Sequence, residues 1–203
     1  MSRIDTVVFD LGGVLIDWNP RYLYRHIFAD EAEMEHFIAE VCHHEWNRAQ
    51  DGGRSFAAAT EERIGVFPHY EQEIRAYFDR WEEMLGGIAE QNVEVLRRLK
   101  HQKTPLFSIT NWSAETFPTA LRKYDFLHFF SDVVVSGEEK LLKPDPAIYQ
   151  LLLDRNQLEA ERCVFIDDVA ENVAGAQNLG MAGIHLLPHT DLSAELSKLG
   201  FNS

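Results

Sequence analysis

Apolar positions along this chain follow two patterns that take turns. Short runs of adjacent apolar or β-branched residues recur at Ile4 to Phe9, Leu106 to Thr110, Val133 to Val135, Cys163 to Ile166 and Ile184 to Leu187. Some are cut off sharply, by Asp10 with Gly12-Gly13 or by Asp167-Asp168, and they predict buried strands. Between them apolar residues return at helical spacing: Val93, Leu96 and Leu99; Phe117, Leu121 and Tyr124; Pro146 to Leu153; and one face of Ala170, Val173, Ala174 and Gln177, which Gly180 is placed to end. Pro118 leaves the start of the second of these helices open. Alternation of this kind predicts an α/β fold, a parallel sheet with helices on both faces. Right-handed crossovers then bring the strand C-termini to one edge, where open sheets bind ligands.

One stretch breaks the alternation. Residues 16 to about 86 offer no convincing strand and read as helices over Asp30 to Trp46, Ser55 to Ile64 and Tyr70 to Leu85. A block of that length is no connecting loop, so it predicts a helical insert directly after the first strand.

Composition narrows the class. The 203 residues are 45% hydrophobic, enough for a real core, and no run approaches the roughly 20 apolar residues of a membrane span. The N-terminus lacks the long apolar stretch and cleavage site of a secretory signal, so a cytoplasmic protein is expected. Cys42 and Cys163 show no metal-ligand spacing and read as reduced, buried thiols. A net charge of −14 argues against nucleic acid as a partner. It leaves room for a small phosphorylated ligand if a metal ion or one placed lysine supplies local positive charge.

Four features fall at strand ends, or just beyond one, on the predicted ligand edge. Asp10 ends the first strand and precedes Gly12-Gly13, so its carboxylate can point into open space while the backbone turns; an ordinary turn aspartate reads the same. Thr110-Asn111 ends the second strand and offers a hydroxyl and backbone N–H groups to a phosphate oxygen, or a plain helix cap. Lys143 lies in Lys-Pro-Asp-Pro, a stiff turn that presents one compact positive charge, unless it is a solvated surface lysine. Asp167-Asp168, followed by Asn172, places two repelling acids together, which a hard divalent cation would offset; acids opening a helix are the alternative.

Strand-Asp, strand-Thr-Asn, Lys-Pro and strand-Asp-Asp, in that order, resemble the motif set of the haloacid dehalogenase-like hydrolase superfamily along nearly the whole chain. The resemblance implies a Rossmann-like parallel sheet flanked by helices, formed by residues 1–15 and 87–203, and an α-helical cap of residues 16–86. It implies Asp10 as the nucleophile that forms an aspartyl intermediate. It implies Mg²⁺ held by Asp10, the Gly12 carbonyl and Asp168, with Asp167 acting through water or behind the ligands and Asn172 orienting it. Thr110 and the Asn111 backbone would hold phosphoryl oxygens, and Lys143 would neutralise charge beside Asp10 and the substrate. Arg21, Trp46, Arg48 and Arg54 are the cap candidates for substrate contact.

The sequence departs from the pattern at one point. Phosphatases of the family mostly carry a second aspartate two residues after the nucleophile, as general acid and base, where this chain has Gly12. Such help is worth roughly 10²–10⁴-fold. Either the leaving group needs little help, or a cap residue or water takes the role, or the substrate is not a phosphate ester. The glycine resembles some sugar-phosphate phosphatases of the family. The expected activity is a Mg²⁺-dependent phosphatase acting on a small phosphorylated metabolite. A metal-independent 2-haloacid dehalogenase and a non-catalytic binding module on the same fold are the alternatives. The sequence is silent on whether the chain is a monomer or homodimer.

Overall fold

A computed structural model describes residues 3–201; residues 1–2 and 202–203, at the ends of the expected core segments, lie outside the described residues. Strand β1 (Thr6–Phe9) is followed by two short strands, β2 (Ile16–Trp18) and β3 (Leu85–Ile88), and then by β4 (Leu106–Thr110), β5 (Asp132–Val135), β6 (Cys163–Asp167) and β7 (Ala182–His185). Five of them form one parallel sheet in the order β5-β4-β1-β6-β7. Side chains of β1 alternate between two cores: Val7 and Phe9 join one hydrophobic cluster and Val8 the other. All three are fully buried. A strand covered on both faces reads as a continuous apolar run rather than an alternating one, which is why this one was visible in the sequence.

Helices α1 (Arg21–Tyr24), α2 (Glu31–His36), α3 (His44–Asp51), α4 (Phe56–Val66) and α5 (Glu71–Asp79) lie between β2 and β3. The remainder, α6 (Glu90–His101), α7 (Phe117–Lys123), α8 (Ser136–Glu139), α9 (Pro146–Asn156), α10 (Ala170–Gln177) and α11 (Leu192–Lys198), alternate with the sheet strands. Ile148, Tyr149 and Leu152 of α9 pack with Phe107, Ile109 and Phe165 on one face. On the other face, Val93, Leu96 and Leu99 of α6 share a core with Leu192 and Leu196 of α11 and with the insert. The sheet and its helical layers match the expected Rossmann-like α/β architecture.

The structure departs from the sequence reading in four places. Residues 16–86 were expected to be free of strand, yet β2 and β3 pair antiparallel where the chain enters and leaves the insert. β3 reads Leu-Gly-Gly-Ile and carries no strand signature of its own. Its glycines are there for room: a Cβ at Gly86 would stand 2.4 Å from the Asp17 carboxylate and from the Tyr22 ring, and Gly87 has φ +126°. The helix expected over Asp30 to Trp46 is broken. α2 runs into a π-helical turn at Phe37–Val41, and His43 then adopts an extended backbone and accepts the Trp46 N–H at Nδ1 (3.2 Å), capping a new helix. The helix expected over Tyr70 to Leu85 stops at Asp79, before a 3₁₀ turn at Trp81–Met84. The last sheet strand lies two residues earlier than its apolar run, with Gly183 pressed against α10, where a Cβ would meet Val173 at 2.5 Å.

No helix among the described residues is long and apolar enough to cross a membrane. Cys42 and Cys163 are free and buried, as expected.

Candidate active site

The chain visits β1, β4 and β5 on one side of the sheet and then crosses to β6 and β7 on the other. Strand order therefore reverses between β1 and β6, the place where an open α/β sheet leaves a crevice at its C-terminal edge. Asp10 follows β1 and Asp167 ends β6 at that place. Phe9 is in register with Ile166, and the Asp10 N–H donates to the Ile166 carbonyl (2.8 Å), so both acids leave the sheet at the same level.

Lys143 joins them. Its side chain is 1% exposed, and its ammonium donates to Asp10 Oδ1 (2.8 Å), Asp167 Oδ2 (2.7 Å) and the Ile109 carbonyl (3.0 Å). Three donors meet three acceptors, so the group is fully committed within the protein. Burial works against its charge, but Asp10 and Asp167 outweigh burial and hold its proton more tightly than usual. The lysine is steered by its backbone: Asn111 Oδ1 accepts the Lys143 N–H (2.9 Å), and Asn111 Nδ2 donates to the Lys143 carbonyl (3.2 Å). Asp167 is equally occupied. Besides Lys143 it accepts Asn172 Nδ2 on both oxygens (3.0 and 3.1 Å) and the Val169 N–H on Oδ1 (2.8 Å). The Tyr149 hydroxyl in turn donates to the Asn172 carbonyl (2.8 Å).

The remaining carboxylate oxygens are less engaged. Asp10 Oδ1 also accepts the Leu11 N–H (2.7 Å), whereas no group among the described residues donates to Asp10 Oδ2. Asp168 is exposed and lies over Gly13, which has φ +72° and where a Cβ would stand 2.2 Å from Asp168 Oδ2. Carboxylate oxygens of Asp10, Asp167 and Asp168 fall within 4.8 Å of one another. Burial pushes the Asp10 carboxyl up to about 7, with Lys143 pulling it down and Asp167 pushing it up. Burial, and then Asp167, also raise Asp168. Three acids against one lysine leave an excess of negative charge on hard oxygen donors, and a small divalent cation fits that set.

These groups open into a pocket of about 350 Å³ that Asp10, Gly12, Gly13, Asn111, Lys143, Asp168 and Asn172 line from the sheet edge. Thr110 is buried at the end of β4 and is not among the lining residues. Trp18, Arg48, Asp51, Phe56 and Trp81 line it from the segment between β1 and α6. The Trp18 Nε1 is a buried donor with no acceptor. Of the four candidates singled out in that segment, only Arg48 reaches the pocket, and its Nη2 donates to the Lys143 carbonyl (3.1 Å). Arg21 pairs with Glu35, Arg54 with Gln50 and Glu62, and Trp46 packs on Tyr77 and Phe78. Asp51 was missed. It ends α3 without a motif around it, and the one available signal was an acid at a helix C-terminus, where the dipole disfavours it.

Similar proteins place the chain in a family. Over its residues 4–180 the sequence matches the haloacid dehalogenase-like hydrolase family. It is 27% identical to a sesquiterpene phosphatase of Aspergillus oryzae over 198 residues, covering 98% of this chain and 97% of that protein. It is likewise 27% identical to a phosphoglycolate phosphatase of Vibrio cholerae over 190 residues, 89% of this chain and 83% of that one. Among solved structures, the magnesium complex of a family enzyme from Bacteroides thetaiotaomicron superimposes with a TM-score of 0.76 at 20% identity, covering 96% of this chain and 99% of that one. With the match extending over most of its length, the chain belongs to the haloacid dehalogenase-like hydrolases.

Proposed function

We propose that the protein is a Mg²⁺-dependent phosphatase that removes phosphate from a small phosphorylated metabolite by way of an aspartyl-phosphate at Asp10. The observation that carries this reading is the gathering of Asp10, Asp167 and Asp168 within 4.8 Å of one another, with the Lys143 ammonium spanning the first two. Asp10 Oδ2 is free to attack, while Oδ1 is held by Lys143 and the Leu11 N–H. Mg²⁺ would be held by Asp10, Asp168 and the Gly12 carbonyl, and when bound it supplies charge neutralisation between the nucleophile and a phosphate dianion. Asp167 acts behind these ligands, since Lys143, Asn172 and Val169 already occupy its oxygens.

Lys143 has no proton left for the substrate while it spans Asp10, Asp167 and Ile109. Its role is to aim Asp10 and to keep it charged. Phosphoryl oxygens would be received by the Asn111 backbone and Thr110, and the helical segment 16–86 would serve as the cap that closes the pocket. Relatives named as phosphatases of a sesquiterpene and of phosphoglycolate support a small phosphorylated substrate. A halide-displacing enzyme needs no cation, and the clustered acids would serve it no purpose.

Hydrolysis of p-nitrophenyl phosphate and of a phosphometabolite panel, with Mg²⁺ and with EDTA, tests the reading. Turnover that EDTA removes, Mg²⁺ restores and Asp10→Asn abolishes is the expected result. Turnover indifferent to EDTA, or retained by Asp10→Asn, would sink it.

A further inference from the structure

Gly12 leaves the site without a proton donor for the leaving group, and a carboxyl on the helical insert faces the same space. We propose that Asp51 is the general acid and base of this enzyme, protonating the departing oxygen and then activating water; the inference rests on the phosphatase reading above.

Asp51 lines the pocket together with Asp10, Gly12 and Asp168, yet it stands outside the carboxylate cluster and is not drawn into holding a cation. It is held from two sides. From the sheet side, the Ser136 hydroxyl donates to its carbonyl (2.6 Å) and the Ser113 backbone N–H faces its carboxylate. From its own helix, Asn47 Nδ2 donates to Oδ2 (3.2 Å). Two features of this placement work against stability. An acid at the last position of a helix opposes the dipole, and withdrawing it from water adds a second penalty. No ion pair among the described residues compensates, because Arg48, one turn earlier, directs its guanidinium to the Lys143 carbonyl.

The charged groups around Asp51 are Arg48 from its own helix and Asp10 from the end of β1; the exposed His44 in the pocket wall bonds Glu45 instead. Burial pushes the Asp51 carboxyl up to about 7, against the pull of Arg48 and the Ser113 N–H and with a push from Asp10. A group poised there exists in both forms near neutrality, which a residue that must give and then take a proton requires.

In the first step an Asp10 oxygen bonds to phosphorus, the bond from phosphorus to the leaving oxygen breaks, and that oxygen takes the Asp51 proton. Asp51 is now a carboxylate and Asp10 an acyl phosphate. In the second step Asp51 accepts a proton from water as the water oxygen bonds to phosphorus. The bond from phosphorus to Asp10 breaks, inorganic phosphate leaves, and both aspartates return to their starting forms.

Stopped-flow kinetics of Asp51→Asn with Mg²⁺, on p-nitrophenyl phosphate and on phenyl phosphate, tests this. p-Nitrophenolate leaves without a proton, so the variant is expected to release one equivalent in a burst near the wild-type rate. Its steady state should then be roughly 10²-fold slower, because water is no longer activated. Phenyl phosphate, a poorer leaving group, should give no burst. The double variant Asp51→Asn/Gly12→Asp should regain turnover, since a Cβ at Gly12 meets nothing within 4 Å. Asp51→Glu keeps the acid and should fall between wild type and Asp51→Asn on phenyl phosphate. Wild-type kinetics in Asp51→Asn overturn the proposal. So does an equal loss on both substrates with no burst and no rescue, or Asp51→Glu at or below Asp51→Asn. A wild-type protein without Mg²⁺-dependent, Asp10-dependent turnover overturns the phosphatase reading itself, and this inference with it.

Discussion

Lys143→Met is expected to lower folding stability by about 3–5 kcal/mol at pH 8, the usual result of stripping one partner from a buried ion pair. Methionine keeps most of the apolar stem but removes a cation that is 1% exposed and bonded to Asp10 at 2.8 Å, Asp167 at 2.7 Å and the Ile109 carbonyl at 3.0 Å. Asp167 retains Asn172 and the Val169 N–H, and Asp10 retains the Leu11 N–H. The loss therefore falls mainly on uncompensated charge rather than on missing hydrogen bonds. Charge can be relieved by a proton. Burial already holds the Asp10 carboxyl at about 7 with Lys143 pulling it down, so without the lysine Asp10 is protonated at pH 5 and can bridge to Asp167, and the loss should shrink. The folded variant then binds more protons than its unfolded chain between pH 5 and 8, and its stability falls as pH rises. Urea unfolding of wild type and variant at both pH values, without divalent cations, measures the difference. A loss under about 1 kcal/mol at pH 8, or the same loss at both pH values, would refute the reasoning. Adding Asp167→Asn should recover part of the loss at pH 8.

Gly13→Ala should displace Asp168, because the new methyl would stand 2.2 Å from its carboxylate at φ +72°; the sign to look for is a weakened rise in melting temperature with added Mg²⁺. Asp10→Asn should be inactive yet more stable than wild type in metal-free buffer at pH 8. The Asp10 carboxyl sits at about 7 in the fold against an ordinary 3.8, so its contribution is fully present below 3.8 and is lost as pH rises through about 7, a difference of at most about 4 kcal/mol. Thermal unfolding at pH 8 that leaves Asp10→Asn no more stable than wild type would contradict this. Arg21→Ala should change stability by no more than about 1 kcal/mol and leave turnover unchanged, since its half-exposed pair with Glu35 lies away from the pocket.

Residues whose placement is set by the sheet were legible in the sequence. Asp10, Lys143 and Asp167 stand at or beyond the ends of apolar runs or in a proline-stiffened turn, and burial of β1 and β6 on both faces made those runs continuous. Finer roles were not legible. Nothing in Thr-Asn indicates that the threonine is enclosed while the asparagine clasps the Lys143 backbone, because that depends on a turn 32 residues later in the chain. The insert was recognisable as helical, but its breaks were not. His43 interrupts an otherwise periodic segment by capping the helix that follows, a local hydrogen bond that overrides apolar spacing. β3 is strand only because β2 lies beside it. Asp51 went unnoticed because pocket membership is a tertiary property, fixed by contacts from Ser113 and Ser136 that lie far along the chain.

The room at Gly12 bears on how such an enzyme changes over generations. A single base separates half of the glycine codons from an aspartate codon, and a Cβ at Gly12 meets no neighbouring atom within 4 Å. The substitution can therefore arise without a preparatory repacking of the fold. A lineage carrying it would hold two proton donors for one leaving group, one on the sheet and one on the insert. Selection on the insert residue would then relax, and α3 could drift toward other substrates. Reversal to glycine would be permitted only while the residue on the insert was still intact, so the order of the two changes would decide which descendants remain active.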